Sequence, residues 1–167
     1  MADYKKLIPF ILKWEGGYSN DKDDLGGATY RGITLATFRS VYGQDKKAKD
    51  LKAMTDQQWQ HIFKTLFWDA WKADRINDQN VANILVDWTW GSGSYGIKIP
   101  QKVLGVAVDG IVGTKTLAAV NARDGKTLFH ELKEERIAYI GRICKTRPQN
   151  RKFRQGWLNR IEALKYE

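Results

Sequence analysis

Apolar positions three and four residues apart run through most of this chain, and they predict a mainly helical protein. Tyr4, Leu7, Ile8, Ile11 and Leu12 form one stripe of a first helix, capped by Asp3 and reaching about Trp14. Pro9 falls inside that stretch, where it removes a backbone bond and crowds the preceding turn, so the helix either kinks there or starts near Ile8 with the proline in its first turn; a kink is expected. Leu35, Phe38 and Tyr42 mark a short helix, capped by Thr34 and ended by Gly43. Thr55 to Gln58 reads as a capping box ahead of Trp59, Ile62, Phe63, Leu66, Phe67 and Trp71, a central packing helix. Asn77 or Asp78 caps a helix carrying Val81, Ile84, Leu85 and Trp88. Asp124 caps a long helix to about Lys145, with Leu128, Phe129, Leu132, Arg136, Ile140 and Ile143 on one side, broken at Arg147-Pro148. Phe153, Trp157, Ile161 and Leu164 set the stripe of the last one.

The one β signal lies between residues 18 and 34, where Tyr18, Thr29, Tyr30 and Ile33 flank turn-forming residues. That pattern predicts a small hairpin of two or three strands, which must lean on helices to be stable. Asp45 to Lys52 reads as a charged connector. The fold class is mainly α (α+β), with this hairpin as its only sheet.

Composition narrows the class of function. A chain of 167 residues with 43% apolar content and seven tryptophans builds a substantial core and is not disordered. Its formal charge of +9 suits an anionic polymer: a bacterial wall, an acidic membrane face or a nucleic acid. The basic residues are scattered and match no nucleic-acid motif, so no nucleic-acid partner is expected. Cys144 is the only cysteine and reads as a small buried helix residue, so no internal disulfide is expected. With only His61 and His130 besides, no metal site or other cofactor is expected. No apolar run is long enough to span a membrane, and Leu7 to Leu12 is too short for a secretory signal. The protein is expected to be a monomer.

The candidate chemistry centres on Glu15, which falls on the next position of the first apolar stripe. A carboxyl completing an apolar face is partly buried, which disfavours its charged form and suits a general acid. Gly16-Gly17 is expected to close the helix in the left-handed conformation. Asp24 follows on a Gly-rich segment that, alone, is an ordinary turn; it lacks the Gly-Lys-Ser/Thr ending of a phosphate-binding loop. Two carboxyls across a cleft, one in an apolar and one in a polar setting, are the equipment of a glycosidase.

The run Glu15-Gly16-Gly17-Tyr18-Ser19-Asn20, followed by Asp24-x-Gly26-Gly27-x-Thr29-x-x-Gly32-Ile33-Thr34, resembles the signature of the glycoside hydrolase family 108 muramidases. These are lysozyme-like peptidoglycan hydrolases of the phage endolysin and secretion-activator type. The arrangement is also similar to phage-type lysozymes, where the Thr stands one position later than Thr29 does here. The resemblance implies a lysozyme-like helical fold and cleavage of the β-1,4 bond between N-acetylmuramic acid and N-acetylglucosamine. It implies Glu15 as general acid, Asp24 as the residue that activates water or stabilises the transition state, and Thr29 as a positioner of that water. By analogy the outcome is inversion, which a carboxyl separation of about 6.5–9.5 Å would accompany. A lytic transglycosylase using the same acid, and a non-catalytic wall-binding or secretion-accessory protein, are the alternatives.

Asp87-Trp88-Thr89-Trp90-Gly91-Ser92-Gly93-Ser94-Tyr95 resembles the turn that lines the sugar cleft in lysozyme-like families. Tyr30, Trp90 and Tyr95 are the substrate-binding candidates, since sugar rings lay C–H faces on aromatic surfaces; for Trp90 and Tyr95 packing explains the residue equally well. Leu104-Gly105 through Asp109-Gly110 to Thr116-Leu117 resembles helical peptidoglycan-binding modules, though a helix-turn-helix in which Gly105 stops one helix and Thr114 caps the next explains it fully. The resemblance divides the chain into a catalytic region, 1–95, and a peptidoglycan-binding-like region, 96–167. Its partners would be glycan strands and, for export without a signal peptide, a holin or secretion apparatus. The protein would be made in the bacterial cytoplasm and act on the wall of the periplasm after release.

Overall fold

The helices begin where short polar side chains meet the first free backbone N–H groups. The computed structural model describes residues 1–20 and 27–167. Among them Thr34 accepts from the Thr37 N–H ahead of α2 (Leu35–Tyr42), and Thr55 from the Gln58 N–H ahead of α4 (Asp56–Ile62). Asp78 does the same for Val81 ahead of α5 (Gln79–Ser92), and Asp124 for Thr127 ahead of α8 (Gly125–Thr146). Each such cap contributes about 1 kcal/mol. The remaining helices are α1 (Ile8–Trp14), α3 (Ala48–Lys52), α6 (Tyr95–Leu104), α7 (Thr114–Ala122) and α9 (Arg154–Ala163). None of the described helices is long and apolar enough to cross a membrane.

The chain forms two compact units, Tyr4–Phe67 and Met1–Asp3 together with Trp68–Glu167. In the first, Leu7, Ile11, Ile33, Phe38, Leu51, Trp59, Ile62 and Phe63 are buried. Its sheet is the antiparallel pair β1 (Thr29–Tyr30) and β2 (Ile33–Thr34), with Thr29 opposite Thr34 and Tyr30 opposite Ile33. The two turn residues, Arg31 and Gly32, both have positive φ (50° and 81°). That is the two-residue turn whose twist matches paired strands. A further bridge from Ser19 to Thr29 extends the sheet by one residue pair.

The second unit is organised on α5, whose Val81, Ile84, Leu85, Val86 and Trp88 are buried. Asp87 on the same helix is fully buried and is held by Arg136 of α8 and Arg160 of α9, each at 2.7 Å. Burial alone would push the Asp87 carboxyl up, but the two guanidiniums hold it below its usual range. Cys144 is buried on α8 beside Ile140 and Ile161.

Several local expectations are corrected. Helix α1 starts at Ile8 with Pro9 in its first turn, where a missing N–H costs nothing, so there is no kinked longer helix. Residues Tyr4–Lys6 form a separate 3₁₀ turn, and the Asp3 N–H donates to Gln79 rather than Asp3 capping α1. The charged connector contains α3, fastened by buried Leu51 and by Asp50, whose carboxylate accepts from the Lys47 N–H at 2.8 Å. The aromatic helix beyond Ile62 widens into a π-helical segment, Phe63–Trp68, which leaves Leu66 exposed. Helix α5 runs through Trp90 and Gly91 to Ser92, and Gly113 rather than Thr114 caps α7.

Candidate active site

Glu15 is where α1 stops. Its backbone has left the helix (φ −97°, ψ 142°), while its N–H still donates to the Ile11 carbonyl as the last bond of the helix. The apolar stripe of α1 therefore delivers Glu15 to the helix end, where the residue is half-buried. Neither Gly16 nor Gly17 adopts positive φ, so the helix closes through the extended Glu15 backbone and not through a left-handed glycine. Among the described residues, a methyl added at either glycine would meet no atom within 4 Å, so this stretch faces open space.

That space is a cleft of about 540 Å³ within the first unit. Leu12, Glu15, Gly16 and Gly17 line it from α1, Tyr30 and Arg31 from the hairpin, and Asp56, Trp59 and Gln60 from α4. The hairpin is tied to α4 at two points. The Trp59 indole N–H donates to the Arg31 carbonyl at 2.9 Å, and the Arg31 guanidinium pairs with the Asp56 carboxylate. The bond to Asp56 raises the already high pKa of Arg31, so the guanidinium stays charged at any working pH. Arg31 also lies over the Tyr30 ring at 5.3 Å, and Trp59 stacks on Phe63 at 5.4 Å. An arginine in the left-handed region costs about 1–2 kcal/mol relative to its ordinary conformations. Its three contacts hold it there, and they fix the hairpin edge of the cleft.

The structure thus brings two sequence-predicted residues, Glu15 and Tyr30, into one cleft. Asp24 lies outside the described residues, so the carboxyl separation expected for inversion concerns a residue beyond them. Thr29 is half-buried on β1, with backbone bonds of 2.9 and 2.7 Å to Ser19, and is not among the residues lining the cleft. Trp90 is half-buried on α5 and Tyr95 exposed at the start of α6, both in the second unit. Sequence reasoning missed Arg31, Asp56 and Gln60, and took Trp59 as core only. Trp59 is indeed buried, yet its edge borders the cleft. The one available signal was Arg31-Gly32 between two β-formers, a turn that places its first residue at the sheet tip.

The helical module-like motif also has a local explanation. Gln101 is fully buried on α6 and bonds the following loop from both ends of its amide. Its Nε2 donates to Asp109 at 3.0 Å and to the Ile111 carbonyl at 2.9 Å, while its Oε1 accepts from the Gly110 N–H at 2.9 Å. Asp109-Gly110 is therefore a turn locked onto a core amide.

The chain belongs to the glycosyl hydrolase 108 family, whose model matches residues 8–93. A second family model, described as "Predicted Peptidoglycan domain", matches residues 95–162. Among solved structures, that of Brucella abortus SagA is similar: 32% identity, 96% of this chain and 90% of that chain covered, and a TM-score of 0.85. No curated protein matches the chain. The protein is thus a glycoside hydrolase of mainly α, lysozyme-like fold, and the two matched families together make it a peptidoglycan hydrolase.

Proposed function

We propose that this hydrolase is an N-acetylmuramidase that cuts the β-1,4 bond between N-acetylmuramic acid and N-acetylglucosamine, with Glu15 protonating the leaving glycosidic oxygen. The observation that carries the reading is that Glu15, a half-buried residue at the end of α1, lines an open cleft together with Leu12 and Trp59. A general acid on a cleft wall is within reach of a bound glycosidic oxygen, and proton donation in the transition state is worth about 10²–10⁴-fold. Asp24 activates water or stabilises the oxocarbenium-like transition state, and Thr29 positions that water. Tyr30 offers its ring to a sugar face at the hairpin edge. The Asp56 carboxylate, already neutralised by Arg31, acts in holding that edge rather than in proton transfer. Residues 1–95 do the cutting and 96–167 hold the wall, which the protein reaches after release from the cytoplasm.

Digestion of purified sacculi, borohydride reduction and mass spectrometry test the bond. New muramitol ends are expected. Glucosaminitol ends would overturn the muramidase assignment, and 1,6-anhydro ends would replace hydrolysis with transglycosylation.

A further inference from the structure

The second unit carries a cleft of its own, about 620 Å³, between α6, α8 and the turn after α8. Tyr95, Ile99 and Lys102 line it at spacings of four and three along one face of α6. From α8 come Glu135, Tyr139, Arg142, Ile143 and Thr146, again one helix face, and beyond the helix Arg147 and Asn150. Ile99, Ile143 and the two tyrosine rings, 6.3 Å apart and tilted by 32°, give the cleft an apolar lining suited to a sugar ring. Tyr95 is 57% exposed, a large aromatic left open to solvent at the cleft.

The charges select further. Lys102, Arg142 and Arg147 line the cleft together with one acid, Glu135, which pairs with Arg142 at 2.9 Å. Two guanidiniums suit the planar fork of a carboxylate. The resident Glu135 disfavours a dense polyanion such as a phosphate polymer, because every added negative charge meets it. Thr146 and Asn150 add short polar groups to the lining. A ligand matching this surface has a sugar face, an apolar linkage and one or two carboxylates.

We propose that this cleft binds the peptide stem of peptidoglycan together with the sugar that bears it, and that Arg147 and Lys102 read the stem carboxylates. The inference rests on peptidoglycan being the substrate, and it concerns recognition of the peptide, which cutting the glycan does not itself require.

The test is an NMR titration of the full isotope-labelled chain with three probes: a disaccharide-tetrapeptide, the same compound with its carboxylates amidated, and neutral chitotetraose. The disaccharide-tetrapeptide contains no bond that a muramidase cuts, so the readout is independent of turnover. Expected are shifts at residues 95–102 and 135–150, with affinity falling about tenfold or more for the amidated probe, the loss of one charge-assisted contact. The variant Lys102→Gln/Arg147→Gln, changed only at two exposed side chains, should show the same loss for the acid probe and none for the amidated one. Equal affinity for acid, amidated and chitotetraose probes, or no shift at these residues, would overturn the proposal. So would tighter binding of a glycerol phosphate oligomer than of the acid probe. Failure of the wild type to lyse sacculi while these shifts persist would count against the muramidase reading alone.

Discussion

Asp87→Asn is a near-isosteric change that removes one negative charge from the centre of the second unit. The carboxylate is fully buried, with Arg136 6% and Arg160 14% exposed, so neither guanidinium can turn to water without unpacking. Removing one member of a buried ionic cluster leaves its partners uncompensated and costs about 3–5 kcal/mol. For a chain of this size that corresponds to a melting temperature lower by roughly 9–15 °C. The sign of the pH dependence follows from the depressed Asp87 pKa. The carboxylate's contribution is fully present above its unfolded pKa, about 3.9, and is lost as pH falls through the lower folded value. The stability gap between wild type and Asp87→Asn should therefore be constant above about pH 5 and shrink below about pH 4. Urea denaturation followed by circular dichroism across that range measures it. A gap under about 1 kcal/mol at neutral pH, or one that stays unchanged well below pH 4, would refute the reasoning.

Arg31→Gly removes the pair with Asp56 but relieves left-handed strain, so stability should change by less than about 1 kcal/mol. KM for sacculi should rise as the hairpin edge loosens; a large loss of stability with KM unchanged would contradict this. Gln101→Met removes the amide that locks the loop and should cost about 1–3 kcal/mol. Hydrogen exchange at Gly110 and Ile111 should accelerate more than at α8 core amides, and uniform acceleration would argue against a local role.

Helix starts were legible because capping is local chemistry. Thr34, Thr55, Asp78 and Asp124 each accept the N–H three residues on, as their side chains and spacing imply. The stop at Arg147 before Pro148 is equally local. What was not legible depended on distance. Helix α3 is five residues long, too short to show a period, and is secured by burial of Leu51. The π widening at Phe63 and the continuation of α5 through Gly91 are tertiary outcomes that no single residue announces. The site divides the same way. Glu15 could be placed at a helix end because it completes the α1 stripe, whereas Arg31 and Asp56 reach the same cleft only through the docking of the hairpin on α4.

On the proposed reading, the Glu15 carboxyl donates the proton that frees the leaving sugar. Clearing of purified sacculi by Glu15→Gln, compared with wild type at matched circular dichroism spectra, tests it most directly. A rate lower by about 10²–10⁴-fold is expected from loss of a general acid; undiminished clearing by the folded variant would contradict the account.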